Sequence, residues 1–147
     1  MTLKDRLLSD MRTAMKQKDT VRKTVLSMAR AAILQLEKDK RTELDDQGVM
    51  EVIAKEIKSR KEALEMFKQG GRQDLVEQNE KEIEILGEYL PPQLSESEIR
   101  EIIRETIEKV GAAGMKDMGK VMGAVMPQVK GRAEGGTVNR LVKEMLQ

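Results

Sequence analysis

The sequence contains no cysteine and no histidine. Without cysteine there is no disulfide framework, no thiol nucleophile and no thiolate metal site. Without histidine the commonest general base and a common metal ligand are both missing. Aromatic residues are almost absent, with only Phe67 and Tyr89. That excludes a platform on which single-stranded bases could stack. No apolar run approaches the roughly 20 residues that span a bilayer, so no membrane partner is expected. Residues 1–18 are charged throughout and lack the apolar core of a secretory signal, so a cytosolic location is expected. No run of β-branched residues alternates with polar ones between turn signals, so no strand is expected. There is neither a phosphate-binding loop nor a dinucleotide fingerprint, because the glycines at 119 and 123 lack the preceding strand that either needs.

What remains is a chain of 147 residues, 36% of them charged, whose core must be built from Leu, Ile, Val, Met and Ala. Those residues, with abundant Glu, Lys and Arg, favour helix. The expected fold is all-α, an N-terminal helical bundle followed by a small three-helix domain. Thr2 with Asp5 resembles a capping box that opens a first helix. Asp19 or Thr20 starts a second, which fades in the charged run 37–41. Asp45 or Asp46 opens a third that stops at Gly70-Gly71, and a fourth begins near Asp74 and ends at Leu90-Pro91-Pro92. Short connections make these four antiparallel neighbours in a bundle. The two prolines mark the boundary between residues 1–92 and 93–147. Ser95 with Glu98 is a full capping box for a fifth helix, which ends at Gly111 to Gly114, and Thr137 is placed to cap the last.

The least ordinary stretch is Met115 to Gly136. Seven of the chain's 11 glycines lie between Gly111 and Gly136. Asp117 is placed to cap a helix beginning at Met118. Met118, Val121, Met122, Val125, Met126 and Val129 fall on one face of it at helical spacing. Gly119 and Gly123 lie four apart on a neighbouring face. Such a pair lowers helix stability, so it marks a place where another backbone comes close. Two partners fit: a neighbouring helix, or a phosphate backbone approached by glycine, lysine and arginine. Pro127 requires that the helix end or kink near Met126. Lys130, Gly131 and Arg132 follow, and then a Gly135-Gly136 break.

Net charge is only +1, yet the charge is unevenly placed. Residues 1–41 carry 11 basic and 5 acidic side chains, and residues 109–147 carry 7 and 3. Residues 42–90 between them carry 7 basic and 13 acidic ones. Two basic ends can neutralise the acidic middle, or both can face one polyanion. The C-terminal candidates for phosphate contact are Lys116, Lys120, Lys130, Arg132, Arg140 and Lys143. Lys16, Lys18, Arg22 and Lys23 form a second cluster. The acidic run Glu77, Glu80, Glu82, Glu84 and Glu88 reads as a solvated face. No hydroxyl sits in a nucleophile-elbow pattern. No catalytic residue, cofactor, metal or small-molecule substrate is therefore assigned.

Leu90-Pro91-Pro92-Gln93-Leu94-Ser95, Met118-Gly119-Lys120-Val121-Met122-Gly123 and Val138-Asn139-Arg140-Leu141-Val142 resemble the GatB/YqeY family, over essentially the whole chain. The second of these motifs is similar to the C-terminal tail of the GatB subunit of tRNA-dependent amidotransferase, a helical appendage that engages tRNA. A similar module is attached to some glutaminyl-tRNA synthetases. The resemblance implies an all-helical fold and a tRNA-linked role. It also implies a tie to carbon–nitrogen ligase activity with glutamine as amido donor. That chemistry resides in other parts of the GatB assembly, so none of it is carried over. The implied partners are tRNA and, beyond it, an aminoacyl-tRNA synthetase or an amidotransferase. Carried over by position is a tRNA contact at Gly119, Lys120, Gly123, Lys130, Gly131 and Arg132, to which Lys116 and Arg140 are added on charge. The alternative is a helical protein–protein adaptor with no role in RNA. The chain departs from the tail pattern at Pro127 and at Gly135-Gly136, where the tail carries a non-proline residue and Asn-Pro.

Overall fold

The computed structural model describes residues 1–147, and the chain is all-α, as its composition requires. Seven helices run in the order α1 (Leu3–Lys16), α2 (Thr20–Lys40), α3 (Asp46–Gln69), α4 (Gln73–Gly87), α5 (Glu96–Val110), α6 (Met118–Val129) and α7 (Gly135–Leu146). A single 3₁₀ turn at Met115–Asp117 leads into α6. The chain divides into two compact units, Met1–Leu90 and Pro91–Gln147.

In the first unit α1 packs on α2 and α3 on α4, and α2 also meets α3 and α4. The Thr2 hydroxyl accepts from the Asp5 N–H and the Asp5 carboxylate accepts from the Thr2 N–H, so α1 has its capping box. Asp19 and Asp45 cap α2 and α3, accepting from the backbone N–H of Arg22 and Gly48. The core gathers Leu7, Val25, Leu26, Ala29, Ile33, Val49, Ile53, Ile85 and Leu86. Helix α2 ends inside the charged run 37–41, at Lys40 with Arg41 as its C-cap. Glu37 is held there by the Lys4 ammonium at 2.7 Å and the Leu44 N–H at 2.8 Å, and both hold its carboxyl below the usual range. The acidic run on α4 is not wholly solvated. Glu82 lies 3.4 Å from the buried Arg60 guanidinium, which also pairs with Glu56 at 2.8 Å, and Glu88 pairs with Arg22 at 2.6 Å. Tyr89 is buried, donates to the Asp10 carboxylate and lies under the Arg6 guanidinium, 4.5 Å from the ring centre. Burial first, and then the Asp10 bond, push its phenol pKa up.

In the second unit α5, α6 and α7 each touch the other two. Their shared core is Ile99, Ile103, Val121, Val125, Val129, Val138, Leu141, Val142 and Leu146, all buried. Every third or fourth residue of each helix points inward, the amphipathic spacing a small bundle needs. Thr106 is buried among them. Its hydroxyl donates to the Ile102 carbonyl at 2.8 Å and accepts from the Gln128 amide at 3.1 Å, a polar tie between α5 and α6. Helix α7 begins at Gly135, with Glu134 as its N-cap, rather than after Thr137. The Gly135-Gly136 pair is thus its first turn and not a break. The Val138 N–H already bonds the Glu134 carbonyl at 3.1 Å, which closes that turn without any side-chain cap.

Candidate functional site

The stretch from Met115 to Arg132 is built around α6. Ser95 and Glu98 complete their capping box on α5, but Asp117 does not do the same for α6. It occupies the N-cap position without bonding the first turn. Its carboxylate instead accepts from the Ala113 N–H at 2.9 Å, and its own N–H donates to the Gly114 carbonyl at 2.9 Å. The 3₁₀ turn directs the carboxylate back toward the preceding loop. Pro127 lies inside α6, two residues before its end. It has no N–H to give the Gly123 carbonyl, so the helix stops within that last turn.

The inward face of α6 is as expected, with Val121, Val125 and Val129 fully buried and Met118, Met122 and Met126 packed beside them. The glycine face is open. Gly119 and Gly123 are exposed, and a Cβ built on either meets no atom within 4 Å. Of the two partners that fit the pair, a neighbouring helix of this chain is therefore absent. At about 100° per residue, Gly119, Lys120, Gly123 and Pro127 fall within roughly one third of the circumference of α6, and Lys116 lies in the 3₁₀ turn just before it. Lys116, Lys120 and Pro127 are exposed as well. The result is a strip of bare backbone with Lys120 along it and Lys116 in the turn that leads into it.

The remaining candidates lie beyond the end of α6. Lys130 is its C-cap. Gly131 takes φ of +78°, in the left-handed region that favours glycine. Its carbonyl accepts from the Gln93 amide at 3.0 Å, and that same amide donates to the Pro91 carbonyl at 2.8 Å. The Leu94 N–H donates to the Arg132 carbonyl at 2.8 Å, and Arg132 Nε reaches the Pro92 carbonyl at 3.4 Å. The Pro-Pro-Gln-Leu motif and the turn after α6 are thus one stapled piece, which sequence reading did not anticipate. Gln93 gives no sequence signal of that role. Arg140 sits apart from α6. It pairs with Glu96 and, at 3.2 Å, with Glu144, and the hydrogen bond to Glu96 contributes most to raising its pKa. The structure therefore groups Gly119, Lys120 and Gly123 on α6, leaves Lys116 in the turn before it, places Lys130, Gly131 and Arg132 at the helix end, and leaves Arg140 in an ion-pair cluster on α7.

A family model described as Yqey-like protein matches residues 4–146. The chain belongs to the Yqey-like family. Among curated relatives of this family member, "Altered inheritance of mitochondria protein 41, mitochondrial" of Pyrenophora tritici-repentis is 31% identical over 144 residues, covering 96% of this chain and 79% of that protein. The protein of the same name in Lachancea thermotolerans is 38% identical over 96 residues, 63% of this chain and 51% of the relative. A different relative, from Thermococcus sibiricus, is a component of glutamyl-tRNA(Gln) amidotransferase and is 45% identical over 58 residues. That match covers 37% of this chain but only 9% of the archaeal protein.

The expected cytosolic location is corrected by these matches. The two fungal relatives are named as mitochondrial proteins, which points away from the cytosol. The lack of an apolar core in residues 1–18 excludes only the secretory route. Mitochondrial leaders are amphipathic and arginine-rich instead.

Proposed function

We propose that this chain is a non-catalytic accessory module that binds tRNA through the outer face of α6. One observation carries the reading. Gly119 and Gly123 are exposed in α6 with nothing against them, Lys120 is exposed beside them, and Lys116 is exposed in the turn that leads into the helix. Two exposed helical glycines destabilise a helix by roughly 0.5–1 kcal/mol each relative to alanine. The fold gains nothing in return, so the bare backbone serves an external partner. Lysines beside it select an anionic one, and phosphates are the groups that approach a helix backbone most closely. With a single tyrosine and a single phenylalanine, contacts to shape and phosphate of a folded RNA are favoured over base stacking. The name of the archaeal relative, an amidotransferase of glutamyl-tRNA(Gln), supports tRNA as that RNA. It also supports an amidotransferase or an aminoacyl-tRNA synthetase as the protein with which the module works. Residues 1–92 and 93–147 act as two domains in this reading, the second carrying the tRNA contact.

The test is binding of bulk tRNA by the purified chain over a range of salt, beside the Lys116→Ala/Lys120→Ala variant. Each phosphate that is no longer neutralised makes the salt dependence shallower by about one unit. A double variant shallower by about two units, with its helicity intact, supports the reading. Unchanged affinity and slope would overturn it. A protein–protein adaptor is the second reading, favoured by the exposed Met115 in the turn before α6, since methionine adapts to varied partners. Failure of tRNA to bind, with capture of an amidotransferase abolished in Met115→Ser, would select it.

A further inference from the structure

Five helix ends in this chain turn through the left-handed region, and three of them use glycine: Gly71, Gly111 and Gly131. The other two use Lys18, at φ +58°, and Arg41, at φ +54°. At Lys18 the turn is a complete Schellman motif. The Lys18 N–H bonds the Met15 carbonyl at 3.2 Å and the Asp19 N–H bonds the Ala14 carbonyl at 2.9 Å. Glycine is the residue this geometry favours, and any other residue is strained there. Arg41 ends α2 in the same motif, with the Arg41 N–H on the Lys38 carbonyl at 3.3 Å and the Thr42 N–H on the Glu37 carbonyl at 3.1 Å, so it is the surroundings of each side chain that separate the two.

The surroundings of Lys18 are cationic. Arg12, Lys16, Lys18 and Lys23 are all exposed around the turn between α1 and α2, and no ion pair holds any of them. Lys18 and Lys23 line one open groove with Met15, Asp19 and Thr20, and Arg12 and Lys16 line a neighbouring one with Asp5, Leu8 and Ser9. The nearby acids are largely engaged elsewhere. Asp19 caps α2 and pairs with Arg22 at 3.6 Å, Asp10 pairs with Arg6 and accepts from Tyr89, and Glu88 is taken by Arg22. Asp5 is in the capping box of α1. Arg22 is thereby removed from the sequence-predicted cluster, and Arg12 joins it. Arg41 is a natural control. It lies at the other end of the same helix, about 30 Å away, and the acids Asp39, Glu43, Asp45 and Asp46 stand close to it in sequence.

We propose that the α1–α2 turn, through Arg12, Lys16, Lys18 and Lys23, is a second phosphate-contacting site for RNA. The partner class rests on the tRNA reading above; the site itself rests on the cluster of unpaired cations around the turn. A membrane surface fits less well, because the apolar face of α1 is turned into the core and Met15 is the one strongly exposed apolar side chain at the turn. Two sites on one chain raise avidity without any new contact chemistry.

The experiment measures binding of fluorescently labelled bulk tRNA to four proteins across salt: wild type, Lys16→Ala/Lys18→Gly/Lys23→Ala, Lys18→Gly alone and Arg41→Gly alone. Thermal midpoints are recorded in parallel. The proposal predicts that the triple variant binds roughly ten-fold or more weakly, with a salt slope shallower by about three units. Lys18→Gly gains a few degrees in its midpoint, of the order of 2–5 °C, yet binds less tightly. Arg41→Gly gains stability with affinity unchanged. Wild-type affinity and slope in the triple variant would overturn the proposal while leaving the α6 reading intact. Weaker binding by the triple variant, with no weakening in Lys116→Ala/Lys120→Ala, would uphold the proposal and overturn the α6 reading. No binding of tRNA by wild type at any salt would overturn both. Binding of the wild type, but not the triple variant, to phosphatidylserine vesicles, with tRNA binding equal in the two, would also overturn it in favour of a membrane surface.

Discussion

Helices α5 and α6 stand side by side in the same small core, and only their outer faces differ in kind. The inner faces are equivalent, with Ile99, Ile103 and Thr106 on one and Val121, Val125 and Val129 on the other, all buried. Outside, α5 carries what stabilises a solvent-exposed helix. It has a capping box, a left-handed glycine at its C-terminal end, and i,i+3 and i,i+4 ion pairs from Arg100 to Glu96 and from Arg104 to Glu101 and Glu108. Such features contribute about 1 kcal/mol for the cap and a few tenths for each pair. Outside, α6 has no side-chain cap, two exposed glycines and a proline in its last turn. A helix shaped by folding alone resembles α5. In the function proposed above, the outer face of α6 serves a partner outside the fold.

The comparison breaks most easily at the inner faces. Ile103→Ala on α5 is expected to destabilise the second unit by about 2–5 kcal/mol, through reduced burial and the cavity left behind. Val125→Ala on α6, a smaller deletion, should cost about 1.5–3 kcal/mol. Chemical denaturation followed by circular dichroism measures both. If Val125→Ala were tolerated without loss, α6 would not be a core helix, and the contrast between its two faces would collapse.

A smaller effect sharpens the outer face of α5. Ser95→Ala is expected to cost about 1 kcal/mol, and the cap also has a pH signature. The Ser95 N–H, and then its hydroxyl, hold the Glu98 carboxyl below its ordinary value of 4.5. A lowered folded-state pKa adds stability that is present above the ordinary value and is lost as pH falls through the folded one. Glu98→Gln keeps a capping-box partner but cannot titrate. Its stability should change less than wild type's between pH 5 and the more acidic range, as urea midpoints taken along that range would show. An identical acid profile would mean that the cap is not formed in solution. On α6 no such cap exists to be titrated.

The smallest effects are gains. Gly119→Ala and Gly123→Ala should each raise stability by roughly 0.5–1 kcal/mol, because the new methyl meets no atom and alanine is the better helix former. A loss in either variant would show that the strip is packed in solution and would reverse the contrast with α5.

The apolar stripes were legible in the sequence because a period of 3.6 leaves little else for Leu7, Ile53, Ile103 or Val125 to do. Capping boxes at Thr2 and Ser95 were legible for the same reason, since both partners lie within one turn. The misreadings share a cause. Gly119 and Gly123 announce a close approach, but spacing does not say whether the approaching group belongs to the chain. Asp117 has the right identity for a cap, yet a 3₁₀ turn before α6 aims it at Ala113. Thr137 is the best capping residue after the two glycines, but the turn closed by Gly131 starts the helix at Gly135. Arg140 reads as a free cation until α5 brings Glu96 beside it. Gln93 holds the turn after α6 from 38 positions away in sequence, and no local pattern carries an interaction of that range.

The central claim is that the glycine strip on α6 is kept for a tRNA backbone at some loss of stability. The most direct test takes Gly119→Ala/Gly123→Ala and measures, on one preparation, its thermal midpoint and its affinity for bulk tRNA. The account predicts a higher midpoint together with weaker binding, because two methyl groups on the strip hold the phosphates away. A higher midpoint with tRNA affinity unchanged would contradict it.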